Sequence, residues 1–326
     1  MKKKIIITGA SGYIGSCLFS FLKKKYKVFL IDKIFPQKFK KIPKNLFYKC
    51  NLLNRKRLDS VFKKIKPDVV IHLAAQSTVD EKIPLKNYNL NNVITTKNLI
   101  SIMKKNLINK LIFSSTAAVY EEKLKKISEE DNLKPISKYG KTKLLAEKLL
   151  SKEKKINSII LRFFNVCGAF RDPLIGEFHQ PETHLIPRAV SSALKKIPIK
   201  VYGNDYPTKD RTCIRDYIHI FDICAGIEKS ISYLSNNLGR SNIFNLGSGE
   251  GFSIKQIIFN LGSVIKKKLK IKILDRRKGD VPYLVCNIKK AKKILKWKPK
   301  KTKIKTILAD DIYWNKYLVK KKLFRQ

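Results

Sequence analysis

The chain has 326 residues, enough for one large or two moderate domains, and 44% of them are hydrophobic, so a sizeable core can form. Lys and Arg number 71 against 25 Asp and Glu, a formal charge of +46, but the basic residues are mostly lysines spread from Lys2 to Lys322 with no single basic domain. That spread, with abundant Ile and Asn beside it, reads as compositional bias and a solvated cationic surface; it argues against specific nucleic-acid binding as the primary role. No apolar run reaches the roughly 18–20 residues of a membrane span. The first strand begins at once, which leaves no room for a signal peptide. The six cysteines (17, 50, 167, 213, 224, 286) include no C-x-x-C. A cytoplasmic protein with free thiols and no metal is the expectation.

The stretch from Lys4 to Gly15 reads as a buried strand, a glycine turn and the start of a helix running to about Lys25. Gly9 permits the tight turn, Gly12 lets backbone approach a pyrophosphate, and Gly15 lets helix and strand pack closely. The helix N-terminus then presents free N–H groups to phosphates. A second strand, Val28–Ile31, ends at Asp32, 17 residues beyond Gly15, where a ribose-binding acid belongs. A carboxylate there favours NAD over NADP.

Leu46–Leu52 is expected to be a short third strand, and Arg55 to Lys64 has helical periodicity. Val69–Ala75 reads as a central parallel strand, with small Ala74 and Ala75 at its carboxyl end and His72 as a core histidine. A long helical pattern runs from Pro84 through Asn91 to about Lys105. The strand Lys110–Ser115 follows and ends in the hydroxyls Ser114, Ser115 and Thr116, which would face the ligand crevice. Ser137 opens a helix to about Lys154, and Ser158–Phe163 is another strand. This alternation predicts an α/β fold with a doubly wound parallel sheet. Residues 1–165 are expected to bind NAD, with returning segments near 213–246. Residues 166–326 are expected to form mainly a smaller, loop-rich substrate domain. Within it, a strand at Ile218–Ile220, a helix from Phe221 to Leu234 and a strand at Ile243–Leu246 are predicted, with a periodic segment from Thr306 to Leu318 at the end.

Tyr139 and Lys143 stand four apart on a predicted helix and share a face. An ammonium near a phenol favours the phenolate, as would the positive ring of NAD⁺, so the pair suits acid–base work on a hydroxyl. Tyr317 and Lys321 repeat the spacing in the tail and read as a solvated accident.

The early G-x-x-G-x-x-G, the Tyr-x-x-x-Lys and the upstream Ser/Thr resemble the extended short-chain dehydrogenase/reductases. Within that group the chain is similar to the UDP-glucose 4-epimerases. The similarity rests on Gly12–Ser16, Phe113–Tyr120, Leu161–Val166, Pro181–Pro187, Thr212–His219, Asn245–Gly249 and Arg276–Asp280. Ala117-Ala118 stands where a nucleotide-sugar dehydratase would carry Asp-Glu. The resemblance implies a Rossmann sheet with a mixed α/β UDP-sugar lobe and reversible epimerisation of UDP-galactose and UDP-glucose through a 4-keto sugar, with tightly held NAD. It makes Tyr139 the acid/base, Lys143 its orienting group and Thr116 a member of the proton network. It places NAD against Gly9, Gly12, Tyr13, Ile14, Gly15, Asp32, Asn51, Leu52, Leu73, Ala74, Ala75, Asn91, Ser114, Tyr139, Lys143 and Phe164. It places the UDP-hexose against Thr116, Asn165, His184, Leu185, Arg215, Arg277 and Asp280. The guanidiniums of Arg215 and Arg277 suit a diphosphate. A homodimer through the helices starting near Pro84 and Tyr139 is also implied.

Four positions depart from the family pattern: Glu121 and Arg211 replace glycines, Lys138 replaces a proline, and Asn51 replaces an acid. None removes a reacting group. Leu284 falls where bulk affects acceptance of N-acetylated sugars. Alternatives are a 4-epimerase of UDP-N-acetylhexosamines or UDP-pentoses, a net dehydrogenase that releases its reduced cofactor, and a non-catalytic NAD-binding or polyanion-binding protein.

Overall fold

The computed structural model describes residues 1–35, 42–80, 82–236, 241–277 and 279–323. Part of the lysine-rich connection after Asp32 and Lys278 of the Arg276–Asp280 motif lie outside the described residues.

The chain begins with β1 (Lys4–Thr8), α1 (Tyr13–Leu22), β2 (Lys27–Asp32), β3 (Phe47–Lys49), α2 (Arg55–Ile65) and β4 (Val69–His72). Next come α3 (Leu85–Tyr88), a π turn (Asn89–Ile94) and α4 (Thr95–Lys105) in one continuous helical run. Then follow β5 (Lys110–Thr116), α5 (Lys138–Lys152), β6 (Asn157–Phe163) and, far along the chain, β12 (Asn242–Leu246). These strands form one parallel sheet in the order β12-β6-β5-β4-β1-β2-β3. The strand order reverses between β1 and β4, where Thr8 is in register with His72, and such a point opens a crevice at the carboxyl ends. β1 and β4 to β6 are buried along nearly their whole length, as continuous β-branched runs require in a sheet covered on both faces.

Two strands are shorter than their apolar runs. The third ends at Lys49 and the fourth at His72. Beyond His72 the backbone of Leu73 and Ala74 leaves the sheet and crosses the glycine turn. A Cβ on Gly9, whose φ is +70°, would lie 2.6 Å from the Ala74 nitrogen. Only glycine fits that crossing. His72 is a core histidine, as expected. Its Nδ1 pairs with Thr8 Oγ1 at 2.7 Å and its Nε2 with Thr96 Oγ1 at 3.1 Å. Burial first, and the Lys143 charge second, pull its pKa down to about 3.

Beyond residue 165 the chain is more regular than its Gly and Pro content implied. It forms β7 (Asn165–Cys167), β8 (Phe170–Arg171), β9 (Leu174–Ile175), α6 (Leu185–Leu194), β10 (Ile199–Tyr202), β11 (Ile214–His219) and α7 (Ile220–Asn236). After β12 come β13 (Gly251–Ser253), α8 (Ile254–Ile265), β14 (Ile271–Leu274), β15 (Tyr283–Leu284), α9 (Lys289–Ile294) and α10 (Ile304–Lys320). Pro187 is the third residue of α6, inside the first turn, where its missing N–H costs no helical bond. α6, α8 and α10 bury Ile186, Val190, Ile257, Leu261, Ile307 and Leu308 in one cluster. The predicted strand at Ile218–Ile220 is the end of β11, and Ile220 already opens α7. β11 lies between β13 and β15 in a second sheet and also pairs with β7. Tyr317 is not a solvated residue. It is half-buried and stacks on Trp314 at 5.5 Å and 20°. All six cysteines are free and buried.

Candidate active site

One cavity of about 970 Å³ opens at the carboxyl ends of the parallel strands and runs to the second sheet. Every residue that the sequence placed at cofactor or sugar lines it, from Gly9 and Asp32 through Thr116, Tyr139 and Lys143 to His184, Arg215, Arg277 and Asp280. At one end Gly12 is the N-cap of α1 and gives no side-chain cap, so the first-turn N–H groups are left for a ligand. Asp32 is held for use: its Oδ2 accepts from Ser11 N at 2.9 Å and its Oδ1 from Ile34 N at 3.3 Å. This glycine cradle and anchored carboxylate fit the ribose and pyrophosphate of NAD.

Some lining side chains are already committed. The Tyr13 hydroxyl donates to Gly168 O at 2.5 Å, and Ser114 Oγ donates to His72 O at 3.0 Å. Asn51 Oδ1 accepts from Leu53 N at 3.0 Å, so this amide keeps the loop closed where the family has an acid. The π turn sets two neighbouring asparagines to different tasks. Asn91 lines the cavity, while buried Asn92 accepts from Gln76 N at 2.7 Å and donates to Thr142 Oγ1 at 3.0 Å. An extra residue in a helical turn is a common device at ligand sites.

Tyr139 and Lys143 lie on α5, which starts at the N-cap Ser137, whose side chain accepts from Gly140 N at 3.0 Å. Both sit deep. Burial pushes the Tyr139 phenol up to about 12, against a hydrogen bond from Thr116 that lowers it. Burial likewise draws Lys143 down to about 7, opposed by Glu147. Its Nζ lies 4.2 Å from the Phe113 ring centroid. The chain alone therefore does not lower the phenol as the four-residue spacing suggested. Desolvation outweighs the Thr116 hydrogen bond, and the positive ring of NAD⁺ would act in the same direction as that bond.

A buried polar network lies behind Lys143, and the sequence reading missed its function. Arg162 Nη1 donates to the Tyr120 hydroxyl at 2.8 Å, which donates to Asn245 Oδ1 at 2.6 Å. Ser115 Oγ donates to the Glu147 carboxylate that Arg162 also holds. Arg162 inside an apolar strand was the available signal, since a buried guanidinium demands a partner.

At the far end, Arg277 lies 3.9 Å from the Tyr202 ring centroid. Arg215 Nη1 donates to Ile214 O at 3.0 Å, with Nη2 at 3.8 Å from Asp280. Arg188 also lines the cavity and was not singled out, although it directly follows the Pro181–Pro187 motif. Arg188 and Arg277, by hydrogen bonds and charge, lower the Tyr202 phenol. Leu284 of β15 stands beside Arg215 in register and lines the same wall. Of the departures, Arg211 occupies left-handed backbone at φ +65°, and Glu121 pairs with Lys134 at the surface.

The pattern of the NAD dependent epimerase/dehydratase family matches residues 5–247. A UDP-glucose 4-epimerase of Halalkalibacterium halodurans is 36% identical over 320 residues, covering 96% of this chain and 95% of that protein. The crystal structure of UDP-glucose 4-epimerase from Brucella ovis in complex with NAD superposes with a TM-score of 0.89 at 32% identity, over 95% of this chain and 98% of the other. The Bifidobacterium longum enzyme in complex with NAD⁺ and UDP gives the same TM-score at 29% identity, over 97% and 98%. The likeness thus covers both the glycine-turn sheet and the arginine-lined wall, and the chain belongs to the NAD dependent epimerase/dehydratase family, grouping within it with the UDP-glucose 4-epimerases.

Proposed function

We propose that the chain interconverts UDP-galactose and UDP-glucose by epimerisation at C4, with NAD retained in the site. The observation that carries this reading is a single cavity with the Thr116–Tyr139–Lys143 group between a glycine cradle and three guanidiniums. The cradle of Gly9, Gly12 and Gly15 with Asp32 holds NAD, which when bound supplies the reversible hydride acceptor for C4. Tyr139 takes the proton of the sugar 4-hydroxyl and later returns it. Thr116 hydrogen-bonds the phenol and stabilises its anion. Lys143 orients the phenol and binds cofactor ribose. Arg188, Arg215 and Arg277 hold the diphosphate, so the 4-keto sugar can turn about that linkage without leaving. Asp280 accepts from a ribose hydroxyl, and Asn165, His184 and Leu185 shape the sugar pocket.

Residues 1–165, with returning segments near 213–246, serve the cofactor, and 166–326 mainly serve the nucleotide sugar. In support, β12 joins the parallel sheet from far along the chain. A homodimer fits the exposed Leu85, Ile94 and Leu145 on the helical run and α5. Six free thiols fit a reducing cytoplasm. Among the described residues no helix is long and apolar enough to cross a membrane.

The test is to incubate the purified chain with UDP-galactose and follow UDP-glucose, with Tyr139→Phe as control. No conversion of any UDP-hexose by the native chain defeats the reading. NAD recovered from denatured protein separates an epimerase from a dehydrogenase that exchanges its cofactor, and light scattering reads the dimer.

A further inference from the structure

Four side chains of one segment converge behind the sugar end of the cavity. Glu177, His179, Glu182 and His184 offer donor atoms that all lie within 4.8 Å of one another. His184 Nδ1 is 2.5 Å and His179 Nδ1 is 3.1 Å from the same oxygen, Glu177 Oε1. Glu182 completes the group, with Oε2 at 3.8 Å from His179 Nδ1 and Oε1 at 3.6 Å from His184 Nδ1. A tetrahedral zinc site with bonds of about 2.0–2.2 Å has its donors about 3.3–3.6 Å apart. The observed separations bracket that edge. The two imidazoles approach from different directions, their planes 66° apart.

A second observation is independent of this spacing. The Glu177 side chain is only 2% exposed, and its other oxygen, Oε2, is buried with no hydrogen-bond partner. A buried carboxylate oxygen left unpaired is costly, and a cation removes that cost. The donors are also held from outside. Glu182 Oε1 accepts from Thr183 N at 2.7 Å and His184 N at 2.8 Å, and the Glu177 carbonyl accepts from Trp314 Nε1 at 2.6 Å. Such outer bonds orient ligands at metal sites.

The geometry points to a divalent transition-metal site of the zinc class, with His179, His184, Glu177 and Glu182 as ligands. Two imidazoles and two carboxylates gathered within 4.8 Å suit zinc, which on entry would replace the hydrogen bonds between them. Magnesium and calcium need six or more oxygen donors. With neutral imidazoles the two carboxylates balance the dication. The site is a structural clamp. It ties the segment ahead of α6, whose N-cap is His184, to Trp314 on α10 and so fixes one wall of the cavity. The sequence expectation of no metal came from the cysteines, whereas the signal is the pattern E-x-H-x-x-E-x-H.

The test uses the full chain, purified without metal resin and stripped with a chelator, then titrated with Zn²⁺ alone. One equivalent bound, a raised unfolding temperature, and loss of both in His179→Ala and Glu182→Ala are the expected results. Mg²⁺ gives neither. Co²⁺ in place of Zn²⁺ gives the intense visible bands of a tetrahedral centre in the native chain, a reading that stands even if a variant fails to fold. No stoichiometric uptake, equal uptake by the variants, or Co²⁺ without tetrahedral bands overturns the proposal. None of these measurements needs turnover, so the result is separate from the fate of the epimerase reading.

Discussion

Arg162 grips Glu147 at two points. Its Nε donates to Oε1 at 3.1 Å and its Nη2 to Oε2 at 2.7 Å, with the side chains 1% and 4% exposed. The pair lies one helical turn beyond Lys143 and so sets the floor on which that ammonium rests. Glu147→Gln leaves the guanidinium buried against a neutral partner. Its expected cost is about 3–5 kcal/mol, read as a lower urea midpoint with unchanged slope. Lys134→Ala, which breaks an exposed pair with Glu121, should leave the midpoint where it was.

Two glycines of the opening turn are expected to fail in different ways. A Cβ on Gly12 meets one atom, Gly9 O, at 3.2 Å, and its φ of −71° suits alanine. Gly12→Ala should fold with little loss of stability yet release NAD, because the methyl occupies the pyrophosphate's path. A Cβ on Gly15 collides with Gly9 O and sits 2.7 Å from Ala10 Cα. Gly15→Ala should lower both stability and bound NAD. Equal NAD content in Gly12→Ala and the native chain would count against the cradle.

Lys143 gives the cofactor-free chain a specific pH response. Its pKa falls from 10.5 in the unfolded chain to about 7 when folded. Between those values the unfolded state binds the extra proton, so this residue makes stability rise with pH from about 7 toward 10. Below about pH 7 both states are protonated and the full burial penalty is present. The difference in unfolding free energy between the native chain and Lys143→Met isolates the effect. A flat difference across that range would refute it.

Thr116 should be visible in the pH profile of turnover. Its hydrogen bond lowers the Tyr139 phenol. Thr116→Val removes that help, so the pH of half-maximal activity should move upward and the rate at neutral pH should fall. Tyr139→Phe should cost about 10²–10⁴-fold at every pH while NAD stays bound.

Arg211 carries left-handed backbone at φ +65°. Arg211→Gly is expected to stabilise the chain by about 1 kcal/mol, with the gain in relieved strain partly offset by glycine's extra freedom when unfolded. A thermal melt measures it.

Much of the fold was legible because local signals agreed with the global one. Buried runs such as Lys110–Thr116 alternate with capped amphipathic segments, and each became the expected element. The strand ends at Lys49 and His72 were not legible, since apolar character continues while the backbone turns away to form the cavity. The lobe after residue 165 misled through its prolines, which sit in loops or, like Pro187, in a first helical turn. At the site, motifs found the residues but not their electrostatics. Spacing put Lys143 near Tyr139, yet only burial reveals that desolvation governs both. Arg188 and Glu177 became visible only when α6 and the segment before it were folded against Arg277 and Trp314.

The late return of the chain as β12, at the edge of the sheet that opens with β1, has a consequence for inheritance. A gene fragment ending after β6 lacks the strand that covers that edge, and a fragment beginning after it must contribute a strand to a sheet it does not own. The sugar-binding half exchanged by one crossover therefore carries a strand of the cofactor sheet with it, and that strand must fit β6 of the other parent. A substitution along the shared wall, at a position such as Leu284, reshapes the sugar pocket without disturbing that seam.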